Sequence, residues 1–76
     1  MTNDAYKKLS DLLVAARDEA ELTQVELSAR LKRPQSFVSK YERGERCLDV
    51  VEFGEVARAL GIDPIRILGP FYRENS

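Results

Sequence analysis

The sequence predicts an all-α domain of five helices, and three observations predict it. Apolar residues recur at three- and four-residue spacing along most of the chain, with no two-residue alternation long enough for a strand. Helix entries are written twice in the same way, as Thr23-x-x-Glu26 and Asp49-x-x-Glu52. The joints between helical stretches are only a few residues long and carry glycine or proline at several of them. Seventy-six residues form one domain, 1–76, with a modest core.

The first helix is expected over Asp4–Ala20, where Leu9, Leu12, Leu13, Ala16 and Ala20 make one apolar stripe and Tyr6 extends it. The second starts at Thr23. Thr23 and Glu26 satisfy each other's free backbone N–H groups, and Leu22 and Leu27 are placed as a hydrophobic staple. Leu27 and Leu31 face the core, and Ser28 is small enough for close helix contact. A turn at Lys32–Arg33 leads to Pro34, which opens a third helix reaching Glu42, with Val38 and Tyr41 inward and Gly44 closing it. Asp49 caps the fourth helix and Glu52 completes the box. Leu48 and Phe53 staple it, Phe53, Val56, Ala57 and Leu60 form its apolar face, and Gly61 ends it. Gly54 in its middle costs about 1 kcal/mol against alanine, which close approach of another helix would explain. The fifth element opens at Asp63-Pro64, continues through Ile65, Ile67 and Leu68, and is expected to break at Gly69-Pro70. Phe71 and Tyr72 are apolar for a tail.

Several function classes drop out. There is no histidine and no glycine-rich phosphate loop, and Cys47 is the one cysteine. Nucleophilic triads, the usual zinc sites and an intrachain disulfide are therefore excluded, and neither metal nor cofactor is expected. Acid pairs such as Glu19 and Glu21 read as surface. The start, MTNDAYKKLS, has charges with no apolar core behind them, and no apolar run approaches the roughly 20 residues of a membrane span. A cytoplasmic protein with no membrane partner is the expectation.

Net charge is −1, but it is segregated: residues 30–46 carry +4 and the rest −5. This basic stretch suits phosphate contact, although a solvated mixed-charge surface would also produce it. It coincides with the segment TQVELSARLKRPQSFVSKYERG, from Thr23 to Gly44. Two short helices joined by a tight turn, the second polar outside and flanked by cations, is what reading the DNA major groove requires. Its outer residues are Gln35, Ser36, Ser39 and Lys40. Glutamine bonds adenine bidentately, lysine bonds guanine O6 and N7, and serine serves several bases. Phe37 lies beside that face, either touching a thymine methyl or packing on the second helix.

The segment resembles the Cro/repressor, or xenobiotic-response-element, family. The resemblance rests on Thr23-Gln24, Glu26-Leu27, Leu31, Gln35-Ser36, Val38-Ser39, Tyr41-Glu42, Gly44 and the run Ala57-Arg58-Ala59-Leu60-Gly61, and it covers Leu12 to Leu68. It implies a five-helix, lambda-repressor-like domain with its helix-turn-helix at about 23–43, binding double-stranded DNA as a transcriptional regulator. A homodimer on a palindromic operator and a repressor or autoregulator role go with it. Gln24 then falls on a phosphate-holding position and Gln35, Ser36 and Lys40 on base-reading ones. Arg17 falls where the family pairs an arginine with the glutamate matched by Glu42, which leaves the guanidinium near phosphate. Arg43 and Arg46 fall in the loop along the DNA backbone. Lys32 departs from the family, which often has glycine there, yet a lysine at that place reaches phosphate. Ile65, Ile67, Leu68, Phe71 and Tyr72 either close the core or form the dimer patch. The competing reading is a protein-interaction or antitoxin-like module of the same fold acting through a protein partner.

Overall fold

The computed structural model describes residues 4–75, so positions 1–3 and 76 of the expected domain lie outside the described residues. Its helices are α1 (Asp4–Glu19), α2 (Gln24–Leu31), α3 (Gln35–Glu42), α4 (Val50–Leu60) and α5 (Pro64–Asn75). Both capping boxes form as read: Thr23 Oγ1 accepts from the Glu26 N–H at 3.0 Å, and Asp49 Oδ1 accepts from the Glu52 N–H at 2.7 Å. Each glutamate reaches back to its cap's own N–H.

Helices α1 to α4 end in one common closure. The residue after the last turn adopts a left-handed conformation and two N–H groups fold back onto the helix. At α3 these are Gly44 to the Tyr41 carbonyl and Glu45 to that of Lys40, and at α2 Lys32 to Ala29 and Arg33 to Ser28. Glycine takes the left-handed place after α3 and α4 (φ +77° and +75°), whereas Glu21 and Lys32 take it after α1 and α2, both at φ 57°. Lys32 thus keeps the geometry that glycine would supply more easily, at a cost of about 1–2 kcal/mol.

Leu13, Leu27, Val38, Tyr41 and Val56 are fully buried, with Phe37, Phe53, Leu60 and Ile67 around them. Burying a large apolar side chain contributes about 1.5–3 kcal/mol each. Helix α3 packs on α1 and α2, while α5 closes the other side against α1 and α4. Ser10 Oγ donates to the Tyr41 carbonyl at 2.9 Å within the core and ties α1 to the end of α3. The outer face of α3 is left clear of the body.

Two sequence expectations need correction. Helix α5 does not break at Gly69-Pro70 but continues to Asn75 with Pro70 inside it. Proline there removes the N–H that would bond the Arg66 carbonyl. The apolar face behind it, with Ile67 buried and Leu68 packed on the core, keeps the helix on α1 and α4 in spite of that loss. Pro34 is also not in the helix: with φ −61° and ψ 151° it is the extended N-cap, and α3 begins at Gln35. At α5 the expectation holds, as Pro64 opens the helix and Asp63 Oδ1 accepts from the Ile65 N–H at 2.9 Å. A methyl group on Gly54 would meet nothing within 4 Å, and nothing in the structure explains that glycine. Among the described residues no helix is long and apolar enough to cross a membrane.

Candidate nucleic-acid interface

The inner side of α3 is fixed by Phe37, Val38 and Tyr41, which follow helical spacing into the core. By the same period Gln35, Ser36 and Lys40 are exposed on the other side, and Ser39 is half-buried beside them. The Ser39 hydroxyl is turned back to the Ser36 carbonyl at 3.4 Å. Phe37 is packed inward, edge-on to Tyr41 at 5.6 Å between ring centres, which settles it as core rather than surface.

A polar brace runs behind this face. Arg17 of α1 grips the Glu42 carboxylate with two bonds, Nε to Oε2 at 2.7 Å and Nη2 to Oε1 at 3.1 Å. Its third bond, from Nη1, goes to the Leu22 carbonyl at 2.8 Å and holds the α1–α2 joint. Gln24 Nε2 donates to Glu42 Oε1 at 2.8 Å, and Gln35 Nε2 reaches Gln24 Oε1 at 3.4 Å. Four side chains on three helices therefore fix one another in order, from α1 to the first residue of α3. The Arg17 and Glu42 side chains are only 14% and 5% exposed, so this pair is screened far less than a surface pair. Glu42 raises the pKa of Arg17 further, chiefly by hydrogen bonding, and keeps it charged.

The remaining expected phosphate contacts divide into two kinds. Lys32 stands exposed at the α2–α3 turn. Arg43, exposed in the loop after α3, lies along Glu45 in a two-bond pair at 3.0 and 3.1 Å. Arg46 is engaged inward: it bonds Glu52 at 2.9 and 2.7 Å, and its guanidinium lies 4.8 Å from the Phe37 ring centre. Arg33, which sequence reasoning did not select, lies over the same ring at 4.5 Å and pairs with Glu55 at 3.0 Å. The signal for it was available in part, since Glu52 and Glu55 share one face of the fourth helix. Nothing in the sequence pairs that face with Arg33. Among the described residues no group of acids, cysteine or histidine is arranged to hold a metal.

Known proteins of this shape settle the family. The helix-turn-helix family model matches residues 13–67, from α1 into α5. The chain belongs to the helix-turn-helix family of DNA-binding transcriptional regulators. It is 34% identical over 67 residues to the HTH-type transcriptional regulator y4dJ of Sinorhizobium fredii, covering 88% of this chain and 87% of that one. An XRE-family like protein from Pseudomonas syringae pv. tomato superposes with a TM-score of 0.91 at 50% identity, over 97% of this chain and 90% of the other. The restriction-modification controller protein C.Esp1396I, solved as a tetramer in complex with its natural 35 base-pair operator, superposes at 0.85 over 95% of each chain. At 19% identity that likeness is one of fold.

Proposed function

We propose that this helix-turn-helix regulator reads double-stranded DNA in the major groove with α3, as a homodimer on a palindromic operator, and acts as a repressor or autoregulator in the cytoplasm by binding rather than by catalysis. The observation that carries this reading is the two-sidedness of α3. Its inner side is locked in the core, and Gln35, Ser36 and Lys40 are exposed opposite. Those three, with Ser39 at the edge, are the base readers. The brace through Gln24, Glu42 and Arg17 fixes Gln35 before DNA arrives, so less rotamer entropy is lost on binding. Gln24, Lys32 and Arg43 contact phosphate, and Arg17 supports them from behind. Phosphate contacts set register and salt sensitivity, and base contacts set sequence.

The apolar surface of α5 supports pairing with a second copy there. Ile65 and Tyr72 are 71% and 63% exposed. Leu68, Phe71 and Tyr72 line one side of a groove of about 390 Å3 whose other side is Tyr6, Leu9 and Val50. Pairing through this surface presents two recognition helices, which for this class of protein sit about 34 Å apart. The operator-bound tetramer of C.Esp1396I is a precedent for more than one copy on DNA.

The test is fluorescence anisotropy of the purified protein against a randomised duplex pool and a duplex selected from it, at two salt concentrations. Preference for the selected duplex by about 4 kcal/mol or more supports the reading. Gln35→Ala and Lys40→Ala should each relax the selected sequence at one base position and leave the melting temperature unchanged. Weak binding that is equal on both DNAs would overturn it and favour a protein partner.

A further inference from the structure

We infer that Glu52 is a specificity-determining residue: it holds Arg46 and Arg33 over the Phe37 ring and keeps both out of the phosphate-binding count. The inference rests on the DNA-binding reading above and concerns which cations of the basic segment act on DNA.

Residues 30–46 carry a net +4 that already counts Glu45, the partner of Arg43, and two further cations, Arg33 and Arg46, are matched by carboxylates of α4 outside the segment. Arg46 meets both Glu52 oxygens, with Nη1 at 2.9 Å from Oε1 and Nη2 at 2.7 Å from Oε2. Arg33 Nη1 approaches the same Oε2 at 3.8 Å, and its Nη2 bonds Glu55 at 3.0 Å. Two guanidiniums over one buried ring would repel each other if bare, and the two carboxylates of α4 balance them. A planar fork bonded at both tines and stacked on an aromatic face is a fixed geometry. It clamps the first turn of α3 to the first turn of α4. Both arginines keep about a third of their side-chain surface exposed, 34% for Arg33 and 38% for Arg46, so release from Glu52 would make them available to phosphate. Glu52 therefore sets how much sequence-blind attraction the protein has for DNA while it fixes the reading helix.

The decisive variants are Glu52→Gln, Arg46→Gln and the double variant, with Lys40→Gln as the reference for a cation that does face DNA. Glutamine at position 52 still accepts the Asp49 N–H and preserves the capping box, and thermal melts check the fold. The readout is the slope of log affinity against log salt on the selected and on an unrelated duplex. Each phosphate contact contributes about 0.9 to that slope. Glu52→Gln should steepen the slope by about 0.9 for each arginine released, tighten binding to unrelated DNA several-fold and reduce preference for the operator. Arg46→Gln alone should leave the slope as in the wild type, and the double variant should lose the Arg46 share of the increase. A flattening by about 0.9 on Arg46→Gln, as expected for Lys40→Gln, would overturn the inference. So would an unchanged slope and preference in a folded Glu52→Gln. Should Glu52→Gln not fold, the Arg46→Gln slope decides alone. A wild type without salt-dependent, operator-preferring binding overturns the function itself, a different result from either.

Discussion

Tyr41 is 1% exposed, its ring set edge-on to Phe37, and its hydroxyl has no hydrogen-bond partner among the described residues. Burial, with the neighbouring charge of Glu42, pushes the phenol well above the ordinary tyrosine range, so it stays neutral at every physiological pH. A buried, unpaired polar group costs about 1–3 kcal/mol. Tyr41→Phe keeps the ring and removes that atom, and should stabilise the protein by about 1 kcal/mol, a rise in Tm of roughly 4–8 °C for a domain of this size. A lower Tm in a thermal melt would show that the hydroxyl is satisfied. At this scale the outward residues were legible because helical period alone separates Gln35, Ser36 and Lys40 from Phe37, Val38 and Tyr41. The roles of Arg33 and Arg46 were not legible. An arginine finds its carboxylate by tertiary packing, and a partner 22 residues away, as Glu55 is from Arg33, leaves no mark in local spacing.

Helix α4 shows how an element's entry becomes a pH-sensitive joint. The Arg46 guanidinium, and then the Asp49 N–H, hold the Glu52 carboxyl down at about 2, against an ordinary 4.5. Glu26 and Glu45 are lowered too, the first by the Thr23 backbone N–H and the second by Arg43. A carboxylate whose folded pKa is depressed stabilises the fold above its unfolded pKa, and that stability is lost as pH falls through the folded value. Urea midpoints should therefore be level from pH 7 to about 5 and fall between about 4.5 and 2. Glu52→Gln should start lower and lose less across that lower window. Midpoints that stay level to pH 2.5, or a variant that falls as steeply as the wild type, would refute this role for Glu52. The capping boxes themselves were written in the sequence, since a box needs only a cap residue and a glutamate three places on. The continuity of α5 was not, because Gly69-Pro70 is a break by local chemistry and a helix only by virtue of the core beneath it.

Across the whole molecule, the large exposed apolar residues Ile65 and Tyr72 fall on α5, while Val50 and Val51, 87% and 70% exposed, open α4. Monomeric proteins rarely leave extended apolar patches open. Ile65→Asp with Tyr72→Asp should bring the sedimentation mass to that of one 8.6 kDa chain and weaken operator binding without unfolding the protein, because neither side chain lies in the core. A mass that stays above one chain would put the interface elsewhere. By itself the sequence determined the helix count, both capping boxes, the core stripe and the outer face of α3, because each depends on residues within one or two turns of one another. Only the tertiary structure decided that Lys32 stands in for glycine in a left-handed turn, that Pro70 stays inside α5, and that Arg46 bonds inward to Glu52 over Phe37. Each of those outcomes is a local penalty or a long-range pairing, and the energy that decides it comes from packing between helices that only the folded chain brings together.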